Sequence, residues 1–146
     1  MKLSRTVSYA VQATLQLAKS DSSTPVPCSK LASEGEMPER FLLQILRMLV
    51  THGILRSTRG VDGGYSLIRP AEQVSLLEVI EAIDGPMENE QQAPDTEESD
   101  EVQDNLQSAI KEVTKTARRQ LEAIKLSQLL APPPIVEETA AKVPEV

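Results

Sequence analysis

The sequence predicts a mainly α-helical fold with one small β-hairpin and a long carboxy-terminal helix. Three observations predict it. Apolar residues recur at three- and four-residue steps through residues 3–53, and again over 75–84 and 105–125. Two short strand-like segments flank Gly60-Val61-Asp62-Gly63-Gly64, where Asp-Gly and a further Gly suit a turn that needs positive φ. Residues 87–104 carry eight acids and no base, which sets the last helix apart from the rest.

Helix 1 is expected from about residue 3 to 19, with Leu3, Val7, Ala10, Val11, Leu15 and Ala18 on one face. Ser20 to Pro27 is a loop by composition. A short helix 2, about 28–35, follows: Pro27 suits its first turn, Cys28, Leu31 and Ala32 share a face, and Gly35 marks its end. Helix 3 runs from near Pro38 to Gly53, with Phe41, Leu42, Ile45, Leu46, Met48 and Leu49 facing inward. The strands are Ile54–Arg59 and Tyr65–Arg69. Ser75-Leu76-Leu77-Glu78 is a capping box that opens helix 4, which stops at Asp84-Gly85-Pro86.

The acidic segment 87–104 is expected to be a solvated linker. In a helix over about 105–125, Leu106, Ile110, Val113, Ala117, Leu121 and Ile124 fall within an arc of roughly 80°. So narrow a seam suits contact with another helix. Leu126 to Leu130 adds a short apolar coda, and the proline-rich tail 131–146 is expected to be disordered. The organisation is therefore 1–86, 87–104, 105–130 and 131–146.

Composition removes several functions. Aromatic residues are 2% of the chain, which argues against a binder that stacks bases on aromatic platforms. One Cys and one His exclude an intrachain disulfide and any site of three or four Cys/His ligands, so no metal and no cofactor is expected. An EF-hand loop starting at Asp95 would need Gly at residue 100 and Glu at residue 106; Asp100 and Leu106 stand there. No nucleophile elbow, phosphate-binding loop or Cys–His pair supports an enzyme. No apolar run approaches a membrane span, and Gln12, Thr14 and Gln16 interrupt the amino-terminal stretch that could imitate a signal peptide, so a cytoplasmic protein is expected. The net charge of −7 falls wholly in residues 87–146; residues 1–86 balance nine Lys/Arg against nine acids. The acidity therefore says nothing against nucleic-acid binding by the first part.

Helix, helix, turn, helix and β-ribbon in that order make a winged helix-turn-helix, in which the second helix of the pair enters the major groove of duplex DNA. Opposite its apolar stripe, helix 3 gathers Arg40, Gln44, Arg47 and Thr51 within an arc of about 60°. Arg suits guanine and Gln suits adenine. Arg59 and Gly60 stand at the tip of the ribbon, Gly63 and Gly64 allow close backbone approach to phosphate, and Arg56 and Arg69 add charge to the ribbon. Lys2 and Arg5 sit at the start of helix 1, whose amide groups can also meet a phosphate.

These segments resemble the Rrf2 family of bacterial winged-helix transcriptional regulators. The resemblance rests on MKLSRTVSYAVQATLQLA, on VPCSKLASEGEMPERFLLQILRMLVTHGILRSTRGVDGGYSLIRP, on VSLLEVIEAIDGP and, more loosely, on IKLSQLL. It implies a homodimer that pairs its long helices and binds a palindromic operator in double-stranded DNA, with Arg59 in the minor groove and Arg40 and Gln44 towards bases. Leu43 departs from the family's iron–sulfur cluster regulator, which carries an acid there, so its operator does not transfer. Cluster-binding members also place three cysteines between helix 4 and the long helix, where this chain has none. The expectation is a DNA-binding repressor without a cluster, whose signal comes from an unidentified effector or partner protein. Two alternatives stand beside it: a winged helix kept as a protein-interaction module, and a DNA-binding redox sensor using Cys28, whose thiol lies at a helix amino terminus near Lys30. A plain apolar role for Cys28 beside Leu31 and Ala32 competes with the latter.

Overall fold

A computed structural model describes residues 2–20, 24–87 and 101–130. The elements are α1 (Arg5–Lys19), α2 (Cys28–Gly35), α3 (Glu39–Thr51), β1 (Leu55–Thr58), β2 (Gly64–Leu67), α4 (Leu76–Asp84), α5 (Glu101–Ala123) and α6 (Leu126–Leu130), with a 3-10 turn at Ala71–Gln73. The mainly helical class with one antiparallel hairpin is as the sequence predicts.

Helix α1 is the centre of the fold. Ser4 caps it, its hydroxyl accepting from the Val7 N–H at 3.2 Å. Its inward face is rotated from the predicted one. Val7, Ala10, Ala13, Thr14 and Leu17 are buried, while Leu3 is exposed and Leu15 and Ala18 are only half-buried. The reason is that α2, α3, α4, α6 and β2 all pack on α1, so small residues on several sides are covered. Thr14 tolerates complete burial because its hydroxyl donates within the helix, to the carbonyls of Ala10 and Val11.

Helix α3 buries Leu42, Ile45, Leu46 and Leu49, and Phe41 meets Tyr9 edge-on with ring centroids 5.7 Å apart. Helix α2 ends at Gly35 as expected, but the glycine is not the residue that turns left-handed. Gly35 is its last helical residue, and Glu36 takes the left-handed conformation (φ 53°). A Cβ at Gly35 would lie 2.6 Å from Met37 Cε and 2.9 Å from Gln12 Nε2, so these two side-chain ends would have to shift to admit one. The capping box of α4 forms as read, with the Ser75 N–H donating to Glu78 Oε2 (2.8 Å) and the Glu78 N–H to Ser75 Oγ (3.1 Å).

The carboxy-terminal part departs most from the predicted organisation. As described, helix α5 already includes Glu101, inside the stretch assigned to the linker, and Glu101 and Asp104 in its first turn suit the positive end of a helix dipole. Residues 88–100 of that linker and the tail 131–146 lie outside the described residues. The end of α5 does not stand apart from the winged unit. Leu121 packs with Val7, Leu77 and Ile80, and Leu126 is wholly buried in the main core. The backbone joins there too: the Leu76 N–H donates to the Ile124 carbonyl (2.8 Å) and the Leu126 N–H to the Val74 carbonyl (2.9 Å). Glu81 completes the junction, one oxygen accepting from Arg118 Nη2 (2.8 Å) and the other from the Met87 N–H (2.7 Å).

Candidate nucleic-acid interface

Packing of α3 through its apolar stripe leaves Arg40, Gln44, Arg47 and Thr51 exposed on the opposite side. Leu43 is half-buried beside them. Thr51 Oγ1 donates to the Arg47 carbonyl at 2.9 Å. No ion pair among the described residues engages Arg40 or Arg47, so both guanidinium groups are available to an outside acceptor. His52 closes the helix, its Nδ1 lying 2.9 Å from the Met48 carbonyl oxygen, which makes it a helix-end residue as read.

The hairpin pairs Leu55 with Leu67 and Thr58 with Gly64, so residues 59–63 form its loop. The strands are shorter than predicted, because Arg59 belongs to the loop and Ile68 and Arg69 lie past the last paired residue. Gly60 has φ +114° and open space where a Cβ would sit. Gly63 donates its N–H to the Gly60 carbonyl at 3.0 Å. The geometry revises the reason for the next two glycines. A Cβ at Gly63 would collide with the Thr58 carbonyl oxygen, and one at Gly64 with the Val26 backbone. Both are required by the hairpin's own packing, independently of phosphate. Val26 matters here because it exchanges two backbone hydrogen bonds with Tyr65, each 2.9 Å, which braces β2 on its outer edge. A single bridge inside a Ser/Pro-rich loop leaves no pattern in the sequence.

The ribbon's cations divide. Arg59 and Arg56 are exposed and without an ion pair among the described residues. Arg69 is instead engaged: Nη2 meets Glu78 Oε1 at 2.9 Å and Nη1 donates to the Gln73 carbonyl. Burial pushes the Glu78 carboxyl up, but the Ser75 N–H, the Arg69 guanidinium and the Ser75 hydroxyl outweigh it and hold the group below the usual carboxylate range. Lys2 and Arg5 are exposed at the start of α1, where the Ser4 hydroxyl already occupies one of the amide donors. Cys28 is half-buried with Sγ 3.8 Å from the Glu39 carbonyl oxygen. Burial first, then the Glu39 charge, raises its pKa, so the thiol is held protonated.

The seam of α5 splits. Leu106 and Val113 are exposed, at 56% and 68%, and Ile110 and Ala117 are half-buried. Leu121, read as part of a surface seam, is buried in its own chain, and Ile124 is half-buried where its carbonyl accepts from Leu76. The last turn of the helix is committed to the winged unit, which leaves the amino-terminal part for an outside surface.

The Rrf2 family model, described as an iron-dependent transcriptional regulator, matches residues 3–132. A Mycobacterium tuberculosis protein named as an HTH-type transcriptional regulator is 42% identical over 87 residues, 60% of this chain and 54% of that protein. The HTH-type transcriptional regulator IscR of Cronobacter sakazakii is 36% identical over 84 residues, 58% of this chain and 52% of that one. The matched stretch thus spans about half the length of these relatives. The structure of CymR, the global cysteine regulator of Bacillus subtilis, superposes with TM-score 0.70 at 22% identity over 88% of this chain and 95% of that one. That of IscR from T. potens gives TM-score 0.70 at 23% identity over 100% of this chain and 94% of that one. These two share the fold. The donor set does not fit a cysteine-ligated iron–sulfur cluster, which needs several thiolates: the chain has Cys28 alone. Among the described residues no three His, Cys, Asp or Glu side chains converge. No described helix is long and apolar enough to cross a membrane. With its family model covering residues 3–132, the chain belongs to the Rrf2 family of transcriptional regulators.

Proposed function

We propose that this protein is a sequence-specific DNA-binding repressor that acts as a homodimer on a palindromic operator in the cytoplasm, without an iron–sulfur cluster and without enzymatic activity. The observation that carries the reading is the pairing of two features: an exposed face of α3 bearing Arg40, Gln44, Arg47 and Thr51, and a hairpin whose loop bears Arg59, exposed and without an ion pair among the described residues. The α3 face suits base edges in the major groove, where Arg and Gln make bidentate contacts. Arg59 suits a narrow minor groove, whose negative potential attracts a guanidinium. Lys2, Arg5 and the backbone at Gly60, Gly63 and Gly64 lie with the phosphates. Leu106, Ile110, Val113 and Ala117 of α5 meet the same face of a second copy. An effector or partner protein supplies the signal.

Selection from a random duplex pool with the purified protein, at two salt concentrations, tests this. The expected result is a palindrome whose half-sites are about 34 Å apart or a multiple of it, bound with steep salt dependence. No enrichment at either salt, with a dimer present, would leave a protein-interaction module as the reading.

A further inference from the structure

Asp62 stands at the apex of the hairpin, and nothing among the described residues uses its charge. The bond from the Gly63 N–H to the Gly60 carbonyl closes a four-residue turn whose two central residues are Val61 and Asp62. Both are exposed, Val61 completely. Among the described residues the Asp62 carboxylate has no ion pair and no hydrogen-bond partner, although Arg59 is three residues away. A turn at this place accepts Asn or Gly as readily as Asp, so the backbone does not require a charge.

An acid at the leading edge of a hairpin that approaches DNA opposes the attraction of phosphates. It needs a donor, because a carboxylate only accepts. On the minor-groove floor A·T pairs offer acceptors alone, whereas a G·C pair adds the guanine N2 amino group. Narrow A·T-rich segments attract Arg and, by the same potential, repel Asp. Arg59, just before the turn, and Asp62, at its centre, therefore ask for opposite neighbours. We infer that Asp62 is a specificity-determining residue, making the hairpin demand a G·C pair next to the A·T-rich step that takes Arg59. The inference rests on the minor-groove placement of Arg59 proposed above.

The test is site selection with the full chain as wild type, Arg59→Ala, Asp62→Ala and Asp62→Asn. Wild type is expected to retain G·C at one flanking position of each half-site. Asp62→Ala loses about a tenfold preference there, the size expected for one hydrogen bond to a charged group. It leaves the positions read by α3 unchanged. Asp62→Asn also weakens the preference, since its amide NH2 can donate to the acceptors that A·T pairs present. It gains affinity for every sequence, with a salt slope steeper by about one unit. If Asp62→Ala selects the wild-type profile at every position while Arg59→Ala does not, the inference is overturned and the placement of Arg59 stands. If neither variant changes the profile, the placement falls and the inference falls with it.

Discussion

Arg59 and Arg69 belong to one hairpin region and have opposite surroundings. Arg59 is exposed and has no ion pair among the described residues, whereas Arg69 holds Glu78 and the Gln73 carbonyl. Arg59→Ala should weaken binding to a selected operator by about 1–3 kcal/mol without changing thermal stability, as measured by fluorescence anisotropy and calorimetry. Arg69→Ala should do the reverse, leaving operator affinity near wild type and lowering the melting temperature. The sequence showed both as ribbon cations; what separates them is a partner nine residues away that only folding brings near. Glu78 also sets a pH dependence. Its carboxyl is held below its ordinary range, so its stabilising contribution is complete above the unfolded carboxylate pKa and is lost as pH falls through the folded value. Glu78→Gln should therefore flatten the acid limb of a stability–pH profile measured by urea titration, in part only, because the pair is solvent-accessible and screened. Cys28 has a raised pKa, which works against a thiol sensor. A thiol-labelling reagent should modify it more slowly than free cysteine at neutral pH, and peroxide should leave DNA affinity unaltered in both wild type and Cys28→Ser.

Elements were legible where local chemistry decides them. The capping box at Ser75 and Glu78, Pro38 before α3 and the Gly-rich turn all sit where their residue types predict. Ser75→Ala should cost about 1 kcal/mol of stability through the lost cap. The inward face of α1 was misread because five elements cover it, and amphipathic spacing reports only one interface at a time. Gly63 and Gly64 were assigned to close approach to phosphate, and a Cβ at either would also meet the protein's own backbone, whereas Gly60 faces open space. Gly64→Ala should therefore destabilise the hairpin by about 1–3 kcal/mol through its positive φ and the Val26 backbone. Faster amide exchange at Tyr65 and Leu67 would reveal it, and a specific loss of phosphate contacts would not be needed to explain weaker DNA binding.

At the scale of the molecule, one helix serves two surfaces. Its amino-terminal part exposes Leu106 and Val113, and its last turn buries Leu121. A sequence pattern shows a seam and does not show where along it the chain's own core ends. Replacing Leu106 and Val113 together by Glu should give a stable monomer in sedimentation equilibrium. Leu126→Ala, at a wholly buried position, should instead lower stability by about 2–5 kcal/mol.

The bonds between residues 74–76 and 124–126 have a further consequence, which concerns synthesis. The amino-terminal unit is finished by a segment that is translated only after the acidic stretch and the whole of α5. While the nascent chain ends near Pro86, the places filled by Leu121 and Leu126 beside Val7, Val74 and Leu77 are open. The winged unit therefore completes its core only once Leu126 has left the ribosome. A chain interrupted within the acidic stretch would carry every proposed base-reading residue and still lack the support that holds them in place.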